Sequence, residues 1–117
     1  MILTSKETLE AAKLFMRRGV FASADAPACH AFIESYRIRN RLTTVTMGGR
    51  AVAAALWSFD GYTLHVEEVA CDFPEGMALL LKKAVATQCD LPLHITGERN
   101  GRPFRQPFLK FLQRLLP

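Results

Sequence analysis

The stretch LTTVTMGGRAVAAALWSFDGYTLHVEEVAC, residues 42–71, decides the fold. It divides into three runs, Leu42 to Met47, Ala51 to Phe59 and Tyr62 to Cys71, separated by Gly48-Gly49 and Asp60-Gly61. Both dipeptides favour positive φ, which a two-residue hairpin turn requires. The spacing therefore predicts a three-stranded antiparallel meander. Its middle strand has small or apolar residues at nearly every position from Ala51 to Trp57, the pattern of a strand buried on both faces.

Beyond the meander the period becomes helical. Between Pro74 and Gln88, Met77, Leu80, Leu81, Ala84 and Val85 form a stripe while Lys82-Lys83 face outwards. Leu91 to Thr96 reads as a short strand. A strand, a helix and a strand in succession are the signature of a parallel crossover. Gly97 to Pro103 reads as a loop, and a last helix runs from Phe104 or Arg105 to Leu115, with Phe108, Leu109, Phe111, Leu112 and Leu115 as its apolar stripe.

Before the meander, Thr4-x-x-Glu7 is a capping-box pattern. Leu9, Ala12 and Met16 share a face of the helix it starts, with Leu14 and Phe15 beside them. Arg17 and Arg18 suit the negative end of the helix dipole, and Gly19 suits the position after the cap. A second helix begins near Asp25 with Pro27 in its first turn, shows Phe32, Ile33 and Tyr36 on one face and stops near Asn40. Arg37, Arg39 and Arg41 at that end read as solvated charges on the dipole. The fold class is α/β with a mixed sheet: meander, parallel β-α-β crossover, C-terminal helix.

The 117 residues suit a single domain, 1–117, able to bury one core. No apolar run approaches the roughly 20 residues that span a bilayer. Met1-Ile2-Leu3 is followed at once by polar residues, so the reading is of no signal peptide. Cys29, Cys71 and Cys89 are odd in number and widely spaced, which predicts reduced thiols, no zinc site and a cytoplasmic location. The net charge of +4 lies wholly in residues 97–117, where Arg99, Arg102, Arg105, Lys110 and Arg114 face only Glu98. Residues 1–96 hold ten basic and ten acidic residues. Such asymmetry points to a local anionic partner.

The order of elements resembles the GNAT superfamily of acyl-CoA N-acyltransferases over roughly residues 1–115, in a shortened form. Three local features carry the likeness. In Leu64-His65-Val66-Glu67-Glu68-Val69-Ala70-Cys71, a bulge at Glu67-Glu68 would return Val66 and Val69 to one face. In the family such a bulge splays this strand from the next and admits the acyl group. The resemblance implies Glu67 and Glu68 as candidate bases, with the backbone near Val69 and Cys71 holding the thioester carbonyl. The second feature is Phe73-Pro74-Glu75-Gly76-Met77-Ala78, set against the family pattern Q/R-x-x-G-x-G/A that cradles the pyrophosphate of coenzyme A. Gly76 and Ala78 match, with Met77 between them. Phe73 replaces the polar residue, Pro74 removes a donor and Glu75 brings a like charge. The third is a strand, a loop holding Asn100, and Phe111-Leu112-x-x-Leu115. The resemblance implies a contact from Asn100 to the coenzyme arm. The match stops at Leu116-Pro117, without the family's final β-hairpin.

Two classes of function follow. One is an N-acyltransferase using acetyl-CoA or another acyl-CoA, without metal. The other is a non-catalytic GNAT-like module, for example a phage virion or host-interaction protein, located in a virion if viral. The basic segment Arg99, Arg102 and Arg105, interleaved with Phe104 and Phe108, suits phosphate, nucleic acid, the phosphates of coenzyme A or an acidic protein face. A protein partner or homo-oligomer fits either class. His65 and Cys71 lie about 20 Å apart along one strand, too far to share a zinc ion.

Overall fold

The computed structural model of the chain describes residues 4–21 and 25–116. The Met1-Ile2-Leu3 start, and Pro117 at the other end, lie outside the described residues. Nine elements follow one another: α1 (Lys6–Arg17), α2 (Ala26–Arg37), β1 (Leu42–Met47), β2 (Arg50–Phe59), β3 (Thr63–Cys71), α3 (Gly76–Thr87), β4 (His94–Arg99), β5 (Arg102–Pro107) and α4 (Phe108–Leu115). One sheet takes them in the order β1-β2-β3-β4-β5. Every pair is antiparallel except β3 and β4, which α3 joins as a parallel pair.

The sheet separates two cores. Every side chain of β2 from Ala53 to Trp57 is at most 1% exposed, because helices cover both faces. On one face Ala54, Leu56 and Ala70 meet Ala11, Ala12, Phe15 and Ile33 of α1 and α2. On the other, Ala53, Ala55, Trp57 and Leu64 meet Leu80, Leu81, Ala84 and Phe108 of α3 and α4. The alanines of β2 let helices approach it from both sides.

Local chemistry differs from the sequence reading in several places. The α1 cap is Ser5, one residue later than Thr4, and its side chain accepts from Thr8 N. The buried face of α1 is Thr8, Ala11, Ala12, Leu14 and Phe15. Met16 is 40% exposed, because the face packed on the sheet and α2 is centred on Ala11, Ala12 and Phe15. Arg17 and Arg18 grip Asp72, at 2.7 and 2.8 Å, rather than only facing the dipole. At α2, Asp25 caps Ala28 N as its sequence signals. Gly48 and Gly49, with φ of 62° and 77°, form the expected two-residue turn. Asp60-Gly61 does not: Phe59 pairs with Leu64, and the Asp60 carboxylate accepts from the N–H groups of Tyr62 and Thr63 in a longer loop.

The largest correction is after α3. The fourth strand is His94–Arg99 rather than Leu91 to Thr96, Asn100-Gly101 is a tight turn, and residues read as loop and helix form β5. The last helix therefore starts at Phe108. The prolines in β5 hid it. In the register Arg99↔Arg102, Glu98↔Pro103, Gly97↔Phe104, the pair flanking a two-residue turn is hydrogen-bonded, and the phase alternates from there. Pro103, Arg105 and Pro107 thus direct their backbone away from β4, where a proline forfeits no ladder bond. Only Arg105 keeps an outward N–H, so this edge resists strand addition. The opposite edge is closed differently. Lys83 Nζ donates to Thr44 O at 2.5 Å, and Gln88 Nε2 donates to Leu42 O at 2.6 Å.

Candidate functional site

The site is built where β3 leaves its neighbours. Against β2, Glu68 pairs with Leu56 and Val66 with Trp57, so Glu67 is the extra residue of a bulge. Val66, Val69 and Cys71 consequently share the α3/α4 face. His65 and Glu68 point to the other face, opposite Ser58 and Leu56. Against β4, pairing covers only Thr63↔His94, Leu64↔Ile95 and His65↔Thr96. Past the bulge the two strands run on unpaired.

The backbone phase matters here. Asp72 N donates to Val52 O at 2.8 Å, which makes Ala70 and Glu68 the β3 residues bonded to β2. Val69 and Cys71 then turn their N–H and C=O towards β4, across the gap. On the α3/α4 face a cavity of about 440 Å³ opens at this point. Val66, Val69, Met77, Phe104, Phe111 and Leu115 make its walls, and Glu98, Arg99, Gln106 and Arg114 its rim. The rings of Phe104 and Phe111 stack at 5.5 Å between centroids, fixing β5 against α4. A second depression of about 540 Å³, holding Glu67, Glu68, Gly97 and Gly101, shares Val66, Val69 and Glu98 with the first. The two adjoin through the parted strands.

The two carboxylates of the bulge differ. Glu67 accepts from Ser58 Oγ at 2.9 Å, and His65 Nε2 lies 3.9 Å from it. His65 Nδ1 meets Thr96 Oγ1 at 2.7 Å, bridging the last paired position of β3 and β4. Burial, then the charges of Glu67 and Glu98, push the Glu68 carboxyl above its ordinary value. Burial and the nearby Glu67 also raise the Tyr36 phenol, over whose ring the Arg39 guanidinium lies at 4.7 Å.

The other candidates are distributed as follows. Met77 lines the cavity, but Ala78 is only 6% exposed and packs in the core. A Cβ on Gly76 would stand 2.8 Å from Cys71 Sγ and 2.9 Å from Cys71 Cβ, so this glycine serves the approach of α3 to the sheet. Its N–H is taken by Phe73 O at 3.2 Å, and Glu75 gives α3 no side-chain cap. Asn100 occupies the β4–β5 turn at φ 54° and is exposed, outside both linings. The basic trio is divided. Arg99 lines the cavity, and Arg102 shares a strand face with Phe104 and Gln106. Arg105 lies on the opposite side, beside Asp60 and His65. Phe104, Gln106 and Arg114 were missed as lining residues, and the Asn-Gly signal at 100–101 would have revealed the hairpin that brings in Phe104 and Gln106.

Among the described residues, no three His, Cys, Asp or Glu side chains gather to hold a metal ion, and no helix is long and apolar enough to cross a membrane. Burial raises the thiols of Cys29, Cys71 and Cys89, against a nucleophilic role. No family model matches the chain, and neither a curated protein nor a solved structure matches it.

Proposed function

We propose that this protein transfers an acyl group from a pantetheine thioester to an amine, as its likeness to the GNAT superfamily implies. The parting of β3 from β4 at the Glu67 bulge carries the reading. It joins an apolar cavity on one face to a carboxylate-bearing depression on the other. An extended arm lying along Val66, Val69 and Phe104 would bring its thioester to the gap. The Val69 N–H then meets the carbonyl oxygen and stabilises its developing charge. Glu68, whose proton affinity is raised by burial and by the charges of Glu67 and Glu98, takes the proton of the attacking amine from the other face. Glu67, whose carboxylate accepts from Ser58 Oγ at 2.9 Å, is held beside the path of the amine. The carbon–nitrogen bond forms and the carbon–sulfur bond breaks; the thiolate departs and takes a proton from solvent, and Glu68 returns its proton to solvent.

The residues fit a coenzyme A arm better than its diphosphate. The cavity is apolar and of suitable size, but Glu75 and Pro74 stand at the α3 start. That mismatch favours a second reading, a module that binds an anionic partner through the basic segment without turnover.

Calorimetric titration with acetyl-CoA and with coenzyme A separates the two. Val69 is 36% exposed, so Val69→Trp fills the gap without disturbing the core. Micromolar binding that Val69→Trp abolishes, with turnover lost in Glu68→Gln at unchanged affinity, is expected. No heat at millimolar ligand would retire free acyl-coenzyme A as the donor, and no heat with a carrier-borne thioester as well would retire the acyltransferase reading.

A further inference from the structure

The cavity mouth carries more positive charge than a thioester arm requires. Arg99 and Arg114 line it, and Arg102 lies on the Phe104–Gln106 face of β5. Lys110 sits one turn before Arg114 on α4, hence on the same helix surface. None of the four takes part in an ion pair among the described residues. Arg114 is held instead by the neutral Gln106 Oε1, at 2.9 Å. Against them stands Glu98 alone. Four of the five basic residues of the C-terminal segment thus lie at this opening or past its rim on β5 and α4, while Arg105 lies on the opposite side.

The α3 N-terminus does not share this character. Pro74 supplies no N–H, the Gly76 N–H is already bonded, Leu79 N donates to Glu75 O at 3.2 Å, and the carboxylate of Glu75 repels phosphate there. By the likeness to the GNAT superfamily, free coenzyme A would set its diphosphate at that point, where these residues receive it poorly. A single phosphate ester entering over Arg99 and Arg114 avoids that point.

We propose that the acyl donor is presented by an acidic protein. Its surface docks on Arg102, Lys110 and their neighbours, and its phosphopantetheine arm enters between Arg99 and Arg114. The inference rests on the acyl-transfer reading and deepens it. The long-range charge steers the carrier, and the apolar walls receive the arm.

The test uses an acidic acyl-carrier protein in its apo form, without the arm, and in its acetylated holo form. Free acetyl-CoA and a single-stranded oligonucleotide are titrated in parallel at low and physiological salt. The expected result is that the holo form binds at least about tenfold more tightly than the apo form and than acetyl-CoA. That affinity should fall with salt, and Arg102→Glu with Lys110→Glu should remove it. Val69→Trp should reduce the holo form to the level of the apo form. Acetyl-CoA binding as tightly as the holo carrier would overturn the inference while leaving the acyl-transfer reading in place. Silence from both would overturn the two together. Equal binding of apo and holo forms would show docking that does not feed the cavity, and preferential binding of the oligonucleotide would assign the basic face to nucleic acid. Either result overturns the proposal.

Discussion

Replacing Thr8 by valine should cost about 2 kcal/mol of stability at neutral pH, and the loss should fade in acid. Thr8 is fully buried between α1 and α2, and its hydroxyl donates to Glu34 Oε2 at 2.5 Å. Arg37 binds the other oxygen of the same carboxylate, and Ser5 Oγ approaches at 3.4 Å. Valine has nearly the same shape, so no cavity opens; the main loss is the hydrogen bond to the charged acceptor, about 1.5–3 kcal/mol, together with the weaker bond that Thr8 Oγ1 accepts from Ser5 Oγ at 3.0 Å. The pH dependence follows from Glu34, whose carboxyl is lowered from 4.5 to about 2, first by the Arg37 hydrogen bond and then by Thr8 and Ser5 against the cost of burial. That shift sets a ceiling of about 3 kcal/mol, which solvent screening of a partly accessible carboxylate brings to about 1–2 kcal/mol. The folded value lies below the unfolded one. The contribution is therefore complete above pH 4.5 and disappears as the pH falls towards 2. Thr8→Val moves the folded value back up, so the gap between wild type and variant should be widest at neutral pH and narrow below pH 4.5. Urea unfolding followed by circular dichroism at pH 7, 4 and 3 measures it. A difference under about 0.5 kcal/mol at neutral pH, or an equal difference at pH 7 and pH 3, would refute the reasoning, since a neutral acceptor gives no such profile.

Gly76→Ala should lower the urea midpoint by an amount equivalent to about 1–3 kcal/mol, because the new methyl meets Cys71 Cβ at 2.9 Å and the strand backbone cannot withdraw it. An unchanged midpoint would show that α3 is free to shift. Pro103→Thr with Pro107→Thr restores two outward N–H groups to the β5 edge and should cause concentration-dependent self-association by light scattering. If the double variant scatters like the wild type, the prolines do not guard that edge.

Much of the architecture was legible because local and global signals agree in it. Gly48-Gly49 marks a turn that needs positive φ, the alanines of β2 announce burial on both faces, and the stripe from Met77 to Val85 has one compatible period. The bulge at Glu67-Glu68 was legible too, since Val66 and Val69 reach one face only if an extra residue lies between them. The hairpin of β4 and β5 was not read. Arg102-Pro103-Phe104-Arg105-Gln106-Pro107 carries the composition of a loop, and its prolines are tolerated only because the register turns them outwards. That error displaced the start of α4 by several residues and hid most of the cavity wall.

The sequence by itself determined the meander, the crossover, the bulge and the place of the excess charge, because each depends on neighbours within a few residues or on simple counting. Tertiary structure alone decided that β3 and β4 part after three paired positions, and that Glu68 and Val69 open to opposite faces of that gap. It also decided that Arg99 and Arg114, distant along the chain, meet at one opening while Arg105 does not. These are matters of register and of helix placement, where a shift of one residue reverses the face a side chain occupies, and no local pattern encodes them.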